Sequence, residues 1–248
     1  MAKHGKGVMD IDYSRSASVY DAIYQTGSGK DYASEADQVH AVIVERKRSV
    51  GNCLLDVGCG TGSHISPFAR HYEVEGLDRS AAMLDLARAK SPTVKFHQAD
   101  MTEFELGQRF DAVVCLFSGI GYVRTAENLR RTVKRFFDHI VPGGVVVVDG
   151  WYAPDQWHDG SLHATLVDEP DLKVARICRS TREGKLSLME CHHIVAKPSG
   201  VEYFVEHHAL GLFTADEYCE AFHQAGLILT HDPDGADGRG RYIGVRPA

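Results

Sequence analysis

The chain has 248 residues, a hydrophobic content of 44%, a charged content of 25% and a formal net charge of −7. These values are typical of one large folded domain, and the absence of both a basic block and a 20-residue apolar run argues against a nucleic-acid or membrane partner. The six cysteines form no C-x-x-C pair, and the basic first residues lack the apolar stretch of a secretory signal, so we expect a cytoplasmic protein.

Strands and helices alternate through the predicted core, residues 31–150, which begins with a helix over 31–48. The predicted strands are CLLDV, EVEGL, VKFHQ, FDAVVCLF and VVVVD, and the helices between them are SHISPFARHY, AAMLDLARAK and ENLRRTVKRFFDHI, the last broken by Pro142-Gly143-Gly144. Such alternation predicts βαβ units and a mainly parallel sheet. The strands are almost continuously apolar, which indicates that helices cover both faces.

The pattern changes after residue 150. Polar and apolar residues alternate through much of 151–213, which predicts an antiparallel β insertion that contributes to the substrate site or a dimer contact. Residues 214–248 return to a helix and two strands that complete the core sheet. We assign residues 1–30 to an N-terminal arm that closes over the site.

A glycine-rich loop follows the first core strand in LLDVGCGTGSH, with Gly58, Gly60 and Gly62 after Asp56. Glycine allows positive φ angles and a close approach of backbone N–H groups to a ligand. The spacing G-x-G-x-G is tighter than the dinucleotide fingerprint G-x-G-x-x-G, and the preceding acid disfavours a pyrophosphate. This loop therefore favours a cationic or zwitterionic ligand.

Two further acids end the next two predicted strands. Asp78 is placed to accept hydrogen bonds from both hydroxyls of a ribose, and Asp100 is placed to accept one from an adenine amino group beside the backbone N–H of Met101. All of these groups lie at the carboxyl edge of one sheet, where open α/β folds bind their ligands.

Four motifs in order, LLDVGCGTG, GLDRS, QADM and the Pro-Gly-Gly before the fifth strand, resemble the class I S-adenosylmethionine-dependent methyltransferases. The resemblance implies an α/β, Rossmann-like, seven-stranded fold, here with the antiparallel insertion, and S-adenosylmethionine as the cofactor. The cofactor-binding residues expected from it are Tyr20, Tyr32, Asp56, Gly58, Gly60, Asp78, Asp100, Met101 and Leu116.

Longer stretches, including DYSRSASVYDAIYQTGSGKDYASEA, SGIGYV and EHHALGLFTADEYCEAFHQAGL, resemble the N-methyltransferases of nucleotide-linked deoxyamino sugars in antibiotic biosynthesis. The resemblance implies a dTDP-linked amino sugar as substrate and a homodimer. It places Tyr13 near the sugar amine and Arg239 near the diphosphate, with Arg176 as a weaker candidate for that role. The expected substrate-binding residues are Tyr13, Ser118, Trp151, Tyr152, Arg176, Arg239 and Arg241.

The sequence departs from that family at two places. The family's S-S-I-G-H is here the stretch from Ser118 to Tyr122, so a tyrosine replaces a histidine near the amine. The family's E-P-W-W is here Asp149-Gly150-Trp151-Tyr152, which leaves the identity of the sugar open. We take Tyr13 and Tyr122 as the candidate catalytic residues.

The chemistry demands positioning more than a strong base. An amine has to approach the methyl carbon in line at roughly 3 Å, and such positioning supplies about 7–11 kcal/mol of the barrier reduction. A tyrosine then suffices to orient the amine or to pass its proton to water.

Other functions remain open from the sequence alone. The runner-up is a small-molecule N- or O-methyltransferase with a different acceptor, and a third is a cofactor-binding partner without catalysis. Two of these residues also have a purely structural interpretation. Tyr122 is then an aromatic residue of the core, and Arg239 is part of a solvated loop. The histidine doublets at 192–193 and 207–208 predict no metal site, because adjacent side chains on a strand point to opposite faces.

Overall fold

The structure is a computed structural model that describes residues 13–248, so the first twelve residues of the predicted arm lie outside the described part. The helices are α1 (Ala17–Asp21), α2 (Tyr32–Arg46), α3 (Ile65–Phe68), α4 (Ala81–Lys90), α5 (Ala126–Asp138), α6 (Ala215–Ala225) and α7 (Gly235–Gly238). The strands are β1 (Cys53–Val57), β2 (Glu73–Asp78), β3 (Lys95–Gln98), β4 (Phe110–Cys115), β5 (Ile140–Asp149), β6 (Leu162–Glu169), β7 (Leu172–Glu183), β8 (Leu186–Lys197), β9 (Gly200–Gly211), β10 (Ile228–Asp232) and β11 (Arg241–Val245).

Seven strands form the core sheet in the order β10-β11-β5-β4-β1-β2-β3. Its pairs are parallel except for β10 with β11 and β11 with β5. Every residue of β4 is buried, because helices pack on both faces of the sheet. The predicted α/β fold class, with a seven-stranded sheet and an antiparallel insertion, is confirmed.

Local signals in the sequence explain where several helices begin and end. The Ser80 hydroxyl accepts a hydrogen bond from the Met83 N–H and caps α4. Thr214 and Glu217 form a capping box at the start of α6, and Gly226 ends that helix at a φ of 92°.

Two predicted boundaries were wrong. The helix expected over SHISPFARHY is helical only at Ile65–Phe68, and the chain beyond it forms turns in which His71 N–H donates to the Phe68 carbonyl. Pro142-Gly143-Gly144 does not end α5, which already stops at Asp138; it lies within β5, where Gly143 has a φ of 73°. The pairing of β4 with β5 shifts register at this point, which accommodates the irregular backbone.

The remaining four strands form a separate antiparallel sheet in the order β6-β7-β8-β9. One face of this sheet is covered by α1 and by the π-helical turn Ala22–Gly27 that continues it, through Val19 and Ile23 packed against Val167, Val174 and Phe204. This contact docks the end of the arm, including Tyr13, above the edge of the core sheet.

Two cysteines that the sequence did not pair lie directly opposite each other on β7 and β8. Cys178 and Cys191 are joined by a disulfide. They are separated by 13 residues, so only the strand register brings them together. Within residues 13–248, no helix is long and apolar enough to cross a membrane.

Candidate active site

A cavity of about 1270 Å³ lies between the carboxyl edge of the core sheet, the docked arm and the inner face of the antiparallel sheet. The walls include all the site residues expected from the sequence except Tyr32 and Asp56. Those that line it are Tyr13, Tyr20, Gly58, Gly60, Asp78, Asp100, Met101, Leu116, Ser118, Tyr122, Trp151, Tyr152, Arg176, Arg239 and Arg241. The fold therefore brings together residues separated by more than 200 positions in the chain.

The glycine loop turns through positive φ angles at Gly58 (74°), Gly60 (53°) and Gly62 (75°), which other residues adopt only with strain. A Cβ on Gly60 would meet no protein atom within 4 Å, and Gly60 lines the cavity. A Cβ on Gly62 would lie 3.1 Å from the Cβ of Ala87. Gly60 thus leaves space for a ligand, whereas Gly62 allows the loop to pack on α4.

Asp78, at the end of β2, is fixed by two backbone donors. Its Oδ2 accepts a hydrogen bond from Gly60 N–H at 2.9 Å, and its Oδ1 accepts one from Ser80 N–H at 2.8 Å. Burial raises the pKa of this carboxyl, and the two hydrogen bonds act in the opposite direction. Each carboxylate oxygen keeps a second lone pair, so the group fits a ligand that offers a pair of hydroxyls.

Asp100, which follows β3, is also held from behind. Its Oδ1 accepts hydrogen bonds from the backbone N–H of Thr102 at 2.8 Å and from the Thr102 hydroxyl at 2.7 Å. Met101 and Leu116 line the adjoining wall. A polar group beside an apolar wall suits the edge and the face of an adenine ring.

A charged cluster at the start of α2 was missed in the sequence. Glu35 accepts hydrogen bonds from Lys30 at 2.7 Å and lies 2.6 Å from Nε2 of His64. Burial raises the pKa of Glu35, but the His64 and Lys30 contacts prevail and lower it to about 2. The Lys30 ammonium also lies 4.0 Å from the centroid of the Phe117 ring, a cation–π distance. Lys30 and Glu35 line the cavity beside Asp31, whose side chain caps α2 by accepting hydrogen bonds from the N–H groups of Ala33 and Ser34.

Asp56 and Tyr32 lie behind the cavity wall rather than on it. Asp56 is 1% exposed, its Oδ2 has no hydrogen-bond partner, and burial raises its pKa to about 6. Tyr32 is buried against the ring of His64, and its hydroxyl also has no partner. The unpaired oxygen of Asp56, buried beneath the glycine loop, is compatible with a cationic ligand group above it. The contact of Asp56 and Tyr32 with the cofactor stays a prediction.

Another part of the cavity wall contains a cluster of aromatic hydroxyls. Tyr13 and Tyr122 are hydrogen-bonded to each other through their hydroxyls. The Tyr13 ring meets that of Tyr20 edge to face at 6.0 Å, and Tyr20 packs on Tyr24 at 4.6 Å. Burial raises the pKa values of Tyr13 and Tyr122, so both are neutral phenols at neutral pH.

The loop after β4 has strained backbone where it borders the cavity. Phe117, Ser118 and Arg124 have φ angles of 51°, 59° and 65°. The Ser118 hydroxyl donates a hydrogen bond to the Gly150 carbonyl at 2.6 Å and so fastens this loop to the end of β5. Strain of this kind is maintained by the surrounding structure and concentrates at functional sites.

Arginines and aromatic rings form the far wall. Arg241 donates from Nε to Asp149 at 2.8 Å in a buried ion pair, and Arg239 donates to the Ala236 carbonyl at 2.9 Å while its guanidinium lies 5.9 Å from the ring centroid of Tyr152. Arg176 extends from β7 with its guanidinium 5.6 Å from the ring centroid of Tyr24. Arg239 also pairs with Asp237 at 3.2 Å, so this wall presents guanidinium groups of which two, Arg239 and Arg241, have carboxylate partners.

A further aromatic group lies beside the arginines. Trp151 contacts Tyr152 and Trp157, with ring centroids 4.8 and 5.8 Å apart. The described residues contain no group of three or more His, Cys, Asp and Glu side chains that is able to hold a metal ion. Positive charge next to flat aromatic surfaces is suited to a ligand that combines phosphates with a planar base.

The central part of the chain matches a methyltransferase-domain family over residues 54–144. The dTDP-3-amino-3,4,6-trideoxy-alpha-D-glucopyranose N,N-dimethyltransferase of Streptomyces venezuelae is 43% identical, covering 92% of this chain and 97% of that protein. The dTDP-3-amino-3,6-dideoxy-alpha-D-glucopyranose N,N-dimethyltransferase of Streptomyces fradiae is 41% identical, covering 94% of this chain and 92% of that protein.

Solved structures agree with these relatives. The crystal structure of Streptomyces venezuelae DesVI superposes with a TM-score of 0.88 at 41% identity, covering 97% of this chain and 100% of that chain. The sugar N-methyltransferase KedS8 from Streptoalloteichus superposes with a TM-score of 0.87 at 37% identity, covering 100% of this chain and 99% of that chain. The likeness thus extends over both sheets and is not confined to the methyltransferase domain.

Proposed function

This chain belongs to the family of dTDP-amino-sugar N,N-dimethyltransferases, and we propose that it transfers one or two methyl groups from S-adenosylmethionine to the amine of a dTDP-linked deoxyamino sugar in antibiotic sugar biosynthesis. The observation that carries the proposal is that one cavity is lined both by the glycine loop with Asp78 and by Tyr13 with the arginines. Those two sets of residues match the two substrates of this reaction.

Cofactor binding is assigned to the residues around the glycine loop. When bound, S-adenosylmethionine supplies an electrophilic methyl group on a sulfonium. Asp78 would accept from the ribose hydroxyls, Asp100 and the Met101 N–H would contact the adenine, and Gly58 and Gly60 would allow the close approach. The remaining candidates are Tyr20, Tyr32, Asp56 and Leu116 from the sequence and Lys30 from the structure, where the Lys30 ammonium offers a partner for the cofactor's carboxylate.

The amine is held at the tyrosine end of the cavity. Tyr13 and Tyr122 are neutral and half-buried, so neither provides a strong base, but their hydroxyls direct the N–H bonds of the amine. The rings of Tyr20 and Tyr24 close this region from the arm side. A dry, weakly polar site favours a reaction in which a sulfonium loses its charge.

The nucleotide is assigned to the far wall. Arg239 and Arg176 would contact the diphosphate, and Arg241, held by its ion pair with Asp149, lines the same wall. Trp151 and Tyr152 offer flat surfaces for the base, and Ser118 acts by fastening the loop beside the sugar.

A panel of acceptors tests this function. Purified enzyme is incubated with isotope-labelled S-adenosylmethionine and dTDP-linked sugars that carry the amine at C3 or C4, and the product masses are measured. A gain of one or two methyl groups on the sugar is expected. Labelling restricted to other small-molecule amines or hydroxyls would overturn the substrate assignment, and tight cofactor binding without turnover on any acceptor would overturn the enzymatic function.

We also infer a homodimer formed through the outer face of the antiparallel sheet. Leu166, Ile194 and Tyr203 are 69%, 48% and 59% exposed and lie in register across the strands, so the face is a continuous apolar patch. Light scattering should show a dimer for the wild type and a monomer for Ile194→Asp. Val44→Asp, at an exposed valine on α2, is the control, and a monomeric wild type would overturn the assignment.

We place the enzyme in the cytoplasm, where both proposed substrates are made. Four cysteines are free, which supports a reducing compartment, whereas the Cys178–Cys191 bond is of a kind that is rare there. Immunodetection of the chain in cell fractions tests the location, and recovery outside the cytoplasmic fraction would overturn it.

A further inference from the structure

His208, on the inner face of the antiparallel sheet, is hydrogen-bonded to a tyrosine assigned to the amine site. Its Nδ1 lies 3.2 Å from the Tyr122 hydroxyl, and that hydroxyl is bonded in turn to the hydroxyl of Tyr13. His208 is buried, and its ring centroid lies 5.6 Å from that of Tyr13. Tyr13 from the arm, Tyr122 from the loop after β4 and His208 from β9 thus form one hydrogen-bonded row that ends in the cavity.

The other ring nitrogen of His208 faces an acid. Nε2 lies 4.0 Å from Oε2 of Glu206, which is also buried. A carboxylate on that side favours the tautomer with the proton on Nε2, which leaves Nδ1 as an acceptor. Oε1 of the same Glu206 accepts a hydrogen bond from the backbone N–H of Ser16 at 3.2 Å, three residues after Tyr13. Glu206 therefore contacts both His208 and the arm that carries Tyr13.

The surroundings keep the imidazole neutral. Burial, then the positive charge of Arg176, then the neighbouring His193 and His207 lower the pKa of His208 to about 3. A neutral His208 with its proton on Nε2 has one remaining option at Nδ1, which is to accept the proton that Tyr122 offers.

We propose, on the basis of the proposed function, that His208 is a positioning residue that sets the direction of the hydrogen bonds at the amine site. With His208 as the final acceptor, Tyr122 donates to His208 and Tyr13 donates to Tyr122. The lone pairs of the Tyr13 oxygen then remain to accept an N–H bond of the substrate amine.

This direction matters because the amine attacks with its own lone pair. A hydroxyl that donated to the nitrogen would occupy that lone pair and block the displacement, whereas a hydroxyl oxygen that accepts from N–H turns the lone pair away from itself. The row carries no proton in this scheme, so neither a phenolate nor an imidazolium is formed.

Two substitutions of His208 separate its effect on the direction of the hydrogen bonds from its contribution to packing. His208→Leu removes the acceptor at similar volume, and His208→Asn places an amide oxygen close to the position of Nδ1. We expect His208→Leu to lower kcat about tenfold, the effect of one hydrogen bond, and His208→Asn to recover it to within about threefold of wild type. The KM for the nucleotide sugar and the Kd for S-adenosylmethionine should change by less than about twofold. His207→Leu, on the exposed face of the same strand, is the matched control and should behave as wild type.

A second variant shows whether the residues act together. Adding Tyr122→Phe to His208→Leu should cost no further activity, because His208→Leu has already removed the acceptor that sets the direction of these hydrogen bonds. Equal losses in His208→Leu and His208→Asn, an unchanged kcat in His208→Leu, or an effect on KM alone would each overturn the proposal.

A measurement without turnover tests the tautomer directly. In enzyme labelled with ¹⁵N-histidine, the ring nitrogens of His208, assigned by comparison with His208→Asn, should show a neutral imidazole protonated on Nε2 at neutral pH. A proton on Nδ1, or a doubly protonated ring, would overturn the proposal. This result is independent of the acceptor panel, so failure of the wild type to methylate any amino sugar would refute the proposed function without deciding the role of His208.

Discussion

The glycine loop gives the sharpest test of where the cofactor lies, because the chain contains a matched pair of glycines. Gly60 and Gly107 have positive φ angles of 53° and 67°, and a Cβ on either would meet no protein atom within 4 Å. Gly60 lines the cavity, whereas Gly107 lies in an exposed turn before β4 that does not. Alanine at either position therefore introduces the same backbone strain, but only at Gly60 does the new methyl group enter the proposed cofactor site.

The strain costs about 1 kcal/mol at each position, which lowers Tm by about 2–4 °C in a chain of this size. At Gly60 the methyl group would also push the ligand away from the loop and weaken its contacts by about 3 kcal/mol, a rise in Kd of about 100-fold. Isothermal titration calorimetry with S-adenosylmethionine and its demethylated product measures the Kd, and differential scanning calorimetry measures the Tm.

The comparison between the two variants decides the outcome. Gly107→Ala should bind the cofactor as wild type does. Cofactor binding by Gly60→Ala at the wild-type Kd would refute the placement of the ligand against this loop. A Tm for Gly60→Ala far below that of Gly107→Ala would show that the loop itself had rearranged, and the lost affinity would then not report a direct contact.

Three other substitutions test separate parts of the site. Arg239→Ala should raise the KM for the dTDP-sugar at least tenfold, because a diphosphate contact is lost, and leave the cofactor Kd unchanged; equal effects on both would contradict the assignment. Tyr13→Phe should reduce kcat by at most roughly tenfold to a hundredfold, since positioning supplies most of the rate, and complete inactivity with normal binding would contradict this. Because burial raises the pKa of Asp56 to about 6, the folded state binds its proton more tightly, and stability falls as pH rises from about 4 to about 6. Melting curves of Asp56→Asn should lack that contribution, and an unchanged pH dependence would argue against the shift.

The convergence of most of the proposed cofactor residues on one cavity was predictable because its signals are local. Gly58 and Gly60 follow β1, Asp78 ends β2 and Asp100 comes shortly after β3, and parallel strands deliver their carboxyl ends to one edge of the sheet. The position of a residue at the carboxyl end of a strand did not show whether its side chain lines the cavity or lies behind the cavity wall. Asp56 is the last residue but one of β1 and lies beneath the loop, a difference in depth that no spacing reveals.

Lys30 and Glu35 show a different limit of the sequence. Their ion pair lies at the start of α2, where charged residues are ordinary features of a helix N-terminus. Only the approach of His64 and Phe117 from other segments makes them part of one charged cluster on the cavity wall. Functional assignment there depends on tertiary contacts that the local pattern does not contain.

The histidine doublet at 207–208 shows how an accurate local rule left a functional residue unrecognised. The alternation of side chains on a strand predicts that the two members face opposite sides, and the structure has His207 exposed and His208 buried. Alternation does not say which member faces inward, nor that Tyr122, 86 residues earlier, meets its Nδ1. In the sequence, a tyrosine stands at position 122 where the resemblance predicts a histidine, and His208 has no assigned role. Nothing in the sequence connects these two observations. The register of β8 with β9 and the strained loop after β4 place Tyr122 and His208 side by side, a contact that no local pattern in the sequence contains.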